Sequence, residues 1–256
     1  MLSHNQIKWL TALRVKKYRQ KYRKFTLEGE KMVTELLTQK RIPVSAIYGL
    51  ERWAGQNAAL LQPFLQIFNP VDEADLKKIS TLTTPAPVMA VAEMPDEHLS
   101  PDLTAGNYCF YLDGIQDPGN LGTILRIADW FGLPAVICSP DSADAFSPKA
   151  VQASMGAIFR VQTAEIPLDE WLRQTPGTPV AGAVLDGDNL FETVLPERGL
   201  IVVGNEGRGL SAEAEALLTH RLTIPRDPSG GAESLNAAVS AGILAATFRG
   251  MHRPAG

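Results

Sequence analysis

A chain of 256 residues, 45% hydrophobic and 20% charged, has the length for one large or two ordinary domains and the apolar content for a full core. No apolar run reaches the roughly 20 residues of a membrane helix, the first residues lack the apolar core of a secretory signal, and Cys109 and Cys138 sit far apart in apolar runs, as buried thiols of a reducing cytoplasm would. The formal charge of −4 hides an asymmetry: residues 1–41 carry 11 Lys/Arg against 3 Asp/Glu, leaving 13 against 25 for the remainder, a basic arm on an acidic body that suits a polyanionic partner.

In chain order, the first 24 residues hold Arg14, Lys16, Lys17, Arg19, Lys21, Arg23 and Lys24, interleaved with Tyr18 and Tyr22 and followed by Phe25. Cations give phosphate affinity and aromatic faces stack on unpaired bases, so this arm suits a polyanion with unpaired bases. Phe25 to Gly29 reads as a strand feeding a helix through Gln39, with Met32, Val33, Leu36 and Leu37 on one face. Strand-like runs follow at Ala46–Leu50, Leu65–Phe68 and Val88–Ala92, with a helical VDEADLKKIS between the last two. This is a small α/β unit over residues 1–95, and the Pro- and Gly-bearing stretch 96–106 reads as a linker.

The second domain, residues 107–256, opens on the apolar strand Tyr108–Leu112. Asp117-Pro118-Gly119-Asn120 is a turn signal, after which Leu121, Ile124, Leu125, Ala128 and Phe131 fall at helical spacing until Gly132. Asn120 lies at the helix start and Arg126 points away from the apolar stripe. Strand Ala135–Cys138 follows, then Ser147-Pro148 as cap and first-turn proline of a helix through Met155. Val180–Leu185, Gly199–Val203 and Leu222–Ile224 complete the strands, with a helix after Ser211 and a small-residue helix opened by Ser234-Leu235-Asn236. The alternation predicts a parallel sheet with helices on both faces and a ligand at the strands' C-terminal ends. Two Gly-rich loops leave the late strands, at Gly204-Asn205-Glu206-Gly207-Arg208-Gly209 and after Ile224, and suit a nucleotide-like ligand held by main-chain groups.

Other chemistries find no footing. There is no G-x-x-x-x-G-K-[ST] loop, no early G-x-G-x-x-G, no G-x-S-x-G and no C-x-x-C, and His4, His98, His220 and His252 are scattered without zinc spacing, so no metal is expected. A nicotinamide dehydrogenase would need the missing fingerprint.

NLGTILRIADWFG (120–132), IVVGNEGRGLS (201–211) and IP…ESLNAAVSAGIL (224–244) resemble, in order and spacing, the three motifs of the SpoU/TrmH family of RNA ribose 2′-O-methyltransferases. SPKAVQASMGAIF resembles a further segment common in that family, and the basic N-terminal part its RNA-binding domain. The Pro225–Gly231 loop is longer than usual, and Ala238 stands where serine is frequent. The resemblance implies an α/β fold with a C-terminal trefoil-knotted parallel-sheet methyltransferase domain. It also implies a preceding small α/β/α RNA-binding domain resembling kink-turn-binding ribosomal proteins, a homodimer, and S-adenosylmethionine as donor. Ribosomal RNA is the favoured substrate, with transfer RNA and a catalytically silent ribosome-associated protein as alternatives.

Carried onto this chain, the resemblance assigns the cofactor to Gly204, Asn205, Gly207, Gly209, Ile224 and Leu235. Catalytic roles fall to Asn120, Arg126, Glu206, Ser234 and Asn236. A guanidinium stays protonated, so Arg126 is expected to clamp phosphate and polarise the 2′-hydroxyl while a water or a carboxylate takes the proton. Asn120 can donate and accept at once; Glu206 could orient its neighbours or accept the proton.

Overall fold

The computed structural model describes residues 1–96 and 98–251; Glu97 of the expected linker and His252 lie outside them. The chain divides into two compact units, and the division is not a single cut. Met1–Asp96 joins with Phe146–Phe159, and the other described residues form the second unit.

The first unit contains helices α1 (His4–Ala12) and α2 (Lys16–Tyr22), strand β1 (Lys24–Glu28), α3 (Glu30–Gln39), β2 (Val44–Gly49), α4 (Glu51–Gln56), α5 (Ala58–Leu61), β3 (Phe68–Pro70), α6 (Glu73–Ile79) and β4 (Val88–Glu93). Its sheet runs β1-β4-β2-β3, with β4 antiparallel to both neighbours and β2 parallel to β3. Ser3 caps α1 in a capping box with Gln6, and α3 buries the expected Met32, Val33, Leu36 and Leu37. The expected strand over Leu65–Phe68 is instead a 3₁₀ helix, Gln62–Ile67, with strand beginning only at Phe68. Pro63, in its first turn, presets helical φ there.

The segment resembling a family motif belongs to this unit. Ser147 caps α9 (Pro148–Ser154), as expected, with Pro148 in the first turn. Helix α9 packs on β1, and the Phe146 ring lies 5.1 Å from that of Phe25, which is wholly buried. Phe25 therefore offers no face to RNA, contrary to the expectation for it.

Asp75 is also buried, accepting from Leu2 N at 2.7 Å and Lys78 Nζ at 2.9 Å. The Lys78 hydrogen bond above all, then the Leu2 amide, holds its carboxyl below the usual range. Stability from a depressed carboxyl is present above its unfolded value and lost as pH falls through the folded one. Asp75→Asn should therefore lower the melting temperature at neutral pH and flatten its decline below about pH 4; thermal melts across pH check this.

The second unit holds α7 (Leu103–Gly106), β5 (Tyr108–Asp113), α8 (Pro118–Phe131), β6 (Ala135–Cys138), β7 (Gln162–Glu165), α10 (Leu168–Gln174), β8 (Val180–Asn189), β9 (Gly199–Gly204), α11 (Ala212–Glu215), β10 (His220–Thr223) and α12 (Ala237–Met251). All six strands are parallel, in the order β10-β8-β9-β5-β6-β7. Residues alternate between faces along β5. Cys109 and Tyr111 face a core with Leu168 and Trp171 of α10 and Ala214 of α11, while Tyr108 meets Phe248 of α12 at 5.2 Å between rings. Helices thus cover both faces, as predicted.

Strand β8 outruns its expected end at Leu185, because β10 pairs again beyond a bulge at Asp188 and Asn189. Strand β10 stops at Thr223, one residue short of the expected Ile224. The Asp117–Asn120 turn is the entry to α8: Asp117 accepts from the Gly119 and Asn120 amides, Pro118 opens the helix, and Gly132 closes it at φ 67°.

Candidate functional site

The site follows from strand order. Strand β5 leads to β6 and β7 on one side and to β9 on the other, so the sheet reverses between β5 and β9. Asp113 and Gly204, the last residues of these strands, pair in register. The loops leaving them therefore start side by side, and such a crevice at the C-terminal ends of parallel strands is where ligands bind.

Four of the five residues expected to be catalytic meet there. Asn236 accepts from the Ala238 and Val239 amides at 2.9 and 3.3 Å and donates through Nδ2 to Asn120 Oδ1 at 3.0 Å. Asn120 in turn donates to Glu206 Oε1, and Ser234 Oγ donates to the Glu206 carbonyl at 3.3 Å. Two expectations change. Asn236, expected inside the first turn, is the residue that caps α12, and Ser234 lies outside the helix altogether. Asn120 does not cap α8, since Asp117 does, which leaves its whole amide for the crevice.

The Gly204–Gly209 loop is folded tightly on itself. Asn205 and Gly209 exchange main-chain hydrogen bonds at 3.0 and 2.9 Å, and Asn205 Oδ1 accepts from the Gly207 and Arg208 amides. Asn205 Nδ2 donates to the Gly114 carbonyl at 2.9 Å, tying the two loops together. A Cβ on Gly204 would lie within 2.7 Å of Gly209 and Leu210 main-chain atoms, and Gly209 has φ +72°. Both positions require glycine.

Arg126, the fifth residue, is exposed on α8 and has no hydrogen bond or ion pair among the described residues. Ile224 is half-buried just past β10, and Leu235 is 45% exposed just before α12. Their main-chain N–H and C=O groups make no hydrogen bond among the described residues, leaving donors and acceptors for a ligand. This open main chain, with the close approach at Gly204, fits the adenosyl end of a nucleoside cofactor.

A second layer went unread in the sequence. Ser139 and Ser142, both buried, accept from the Gly114 and Ile115 amides at 2.9 and 3.2 Å. Asp113 accepts from Ser211 N at 2.6 Å, and Asp141 receives Ser139 Oγ at 2.6 Å and faces Arg208 at 3.6 Å. These groups fix the loops that carry Asn120 and Glu206. The cluster Ser139–Ser142 had only its Ser/Asp content to announce it. Among the described residues no group of three His, Cys, Asp or Glu could hold a metal.

In the first unit the basic arm separates into parts. Arg19 must be withdrawn from the RNA-contacting set: it is 2% exposed and donates to the Leu13 carbonyl at 2.8 Å. Arg14 bonds the Ile79 and Ser80 carbonyls, Arg23 the Pro95 carbonyl, and Lys24 pairs with Glu93 at 3.2 Å. Lys16 is half-buried, whereas Lys17 and Lys21 are exposed. Tyr18 and Tyr22 stack at 6.3 Å beside them, with Lys21 over the Tyr22 ring.

Comparison with known proteins adds to this geometry. Residues 107–246 match the SpoU rRNA methylase family, and residues 4–90 match the MRM3-like substrate binding domain. The chain is 31% identical over 250 residues to a 23S rRNA guanosine 2′-O-methyltransferase of Bacillus subtilis, covering 96% of this chain and 97% of that one. A TrmH-family protein from Porphyromonas gingivalis superposes with a TM-score of 0.84 at 43% identity, covering 98% and 99% of the two chains. An AdoMet-bound rRNA methyltransferase from Sinorhizobium meliloti gives 0.85 at 27% identity, covering 99% and 97%.

Proposed function

The chain belongs to the SpoU rRNA methylase family, and from that premise we propose that it moves a methyl group from S-adenosylmethionine to the 2′-oxygen of a ribose in ribosomal RNA. The observation that carries this reading is the convergence of Asn120, Glu206, Ser234 and Asn236, drawn from three distant stretches, in one crevice at the β5/β9 reversal.

S-adenosylmethionine, bound, supplies an electrophilic methyl and its own leaving group, so the protein's task is to bind, align and manage one proton. The Gly204–Gly209 loop and the open main chain of Ile224 and Leu235 hold the nucleoside. Asn120, fixed from both ends, presents its amide to the ribose. Arg126 reaches from α8 to the RNA phosphate and polarises the 2′-hydroxyl with a charge that never titrates.

Residues 1–95, which Phe146–Phe159 joins in one compact unit, serve as the substrate-binding region, 96–106 as the connecting segment that ends in α7, and the remainder of 107–256 as the methyltransferase domain of a cytoplasmic homodimer. The return of the chain from β10, at the sheet edge, to the central crevice before α12 supports a trefoil knot in that domain. The four-stranded sheet of the first unit, flanked by helices, supports a likeness to kink-turn-binding ribosomal proteins.

The test is incubation of the protein with in vitro-transcribed 23S ribosomal RNA and methyl-tritiated S-adenosylmethionine, with ribose methylation mapped by resistance to alkaline cleavage. Transfer RNA labelled in place of 23S RNA would overturn the substrate assignment. RNA affinity should also resolve the basic arm. Removing both exposed lysines in Lys17→Ala/Lys21→Ala should reduce the slope of log K against log salt by about 1.4–1.8, from roughly 0.7–0.9 per phosphate contact. An unchanged slope in filter-binding titrations would take α2 out of the RNA interface.

A further inference from the structure

Resting on the proposed methyl transfer, we infer that Glu206 is the group that takes the 2′-hydroxyl proton, through its Oε2 oxygen. The hydrogen bonds at the crevice run in one direction. The α12 amides of Ala238 and Val239 fix Asn236 Oδ1 as acceptor, so Asn236 Nδ2 donates to Asn120 Oδ1, and Asn120 Nδ2 must donate onward to Glu206 Oε1. Each amide's orientation is set by the one before it. The chain ends on a carboxylate held by one oxygen, while Oε2 has no hydrogen bond or ion pair among the described residues.

The other candidate bases are excluded by their bonds or chemistry. Asp113 is committed to the Ser211 amide, Asp117 to the first turn of α8, and Asp141 to Ser139 and Arg208. His220 bonds Thr219 at the start of β10, at the opposite end of that strand from the ligand crevice. Arg126 stays protonated, and asparagine and serine are not bases at neutral pH. Glu233, in the exposed approach to α12, is not bonded to any site residue.

The step balances. The 2′-oxygen forms a bond to the methyl carbon, the carbon–sulfur bond breaks with its electron pair going to sulfur, and the O–H proton passes to Glu206 Oε2. The resulting carboxylic acid returns its proton to water after product leaves. Asn120 then has a second role as positioning residue, aiming Oε2 by anchoring Oε1.

Glu206→Gln separates the functions, because its amide oxygen can still accept from Asn120 while the base is gone. The charged groups on the elements meeting at Glu206 are Asp117 at the cap of α8, Arg126 and Asp129 on α8, Arg208 on its own loop, Glu233 before α12 and Arg249 on α12; Asp129 is paired with Arg160 and Arg249 with the Phe131 and Gly132 carbonyls, and all remain in the variant. Single-turnover methylation of in vitro-transcribed 23S ribosomal RNA should fall about 10²-fold or more, and the acid limb of the wild-type rate–pH profile should vanish. The dissociation constant for S-adenosylmethionine, measured by calorimetry, should stay within about twofold, as expected when the removed interaction acts only in the reaction step. A Glu206→Gln rate equal to wild type, a surviving acid limb, or a loss of cofactor affinity matching the loss of rate overturns the inference while leaving the methyl transfer standing. An inactive wild type removes both.

Discussion

Arg126→Ala is expected to cut the methyl-transfer rate by roughly 10²-fold or more, the cost of losing one preorganised donor at a reacting oxygen. The fold should hardly notice. Arg126 is exposed and unbonded within the protein, and surface substitutions of that kind stay within about 0.5 kcal/mol. Arg126→Lys keeps the charge but loses the planar fork, so its rate should fall between the two. Single-turnover kinetics beside thermal melts check all three, and near-normal turnover in Arg126→Ala would remove the residue from the mechanism.

The second large effect is expected at Gly204. A methyl group there would stand 2.5 Å from the Gly209 carbonyl carbon and 2.7 Å from Leu210 N, which are main-chain atoms and cannot swing aside. Relieving the clash means opening the Asn205–Gly209 bridge, at a cost on the order of 1–3 kcal/mol. Gly204→Ala should therefore weaken S-adenosylmethionine binding about tenfold or more, a penalty of about 1.4 kcal/mol. Gly242, on α12 and outside the cofactor loop, is the control: a Cβ there would meet only Ile127 Cδ1 at 3.7 Å, an ordinary contact, so Gly242→Ala should bind within about twofold of wild type. Calorimetric titration of both variants decides it, and equal losses would refute a steric origin.

Much of this was legible from residues alone. The apolar runs of β5, β6 and β9, the cap-and-proline start of α9, and the glycine that closes α8 all announce local structure that tertiary contacts did not overrule, whereas the Asp117–Asn120 turn proved to be the capped first turn of α8 itself. What escaped was governed at long range. Strand β7 reads QTAE, with only two of its four residues buried, and is a strand because β6 offers it a partner at the sheet edge. Arg19 looks like its basic neighbours, and only the packing of α2 sends it to the Leu13 carbonyl. The residues of the site could be named from their motifs, yet the direction of the Asn236–Asn120–Glu206 chain depends on which residue caps α12, and that is geometry.

The insertion of Phe146–Phe159 into the first unit bears on how the protein is made. A nascent chain emerging from the ribosome will have released every N-terminal strand by Glu93, yet the piece that covers Phe25 arrives about fifty residues later. Until then Phe25 lacks the Phe146 ring and β1 the cover of α9, although α2 and α3 can already pack on that strand, and completion of the first unit before Phe159 is made is ruled out by connectivity. For the same reason, a protease cutting only between residues 96 and 106 would not liberate an intact N-terminal module, because its last helix stays on the other fragment.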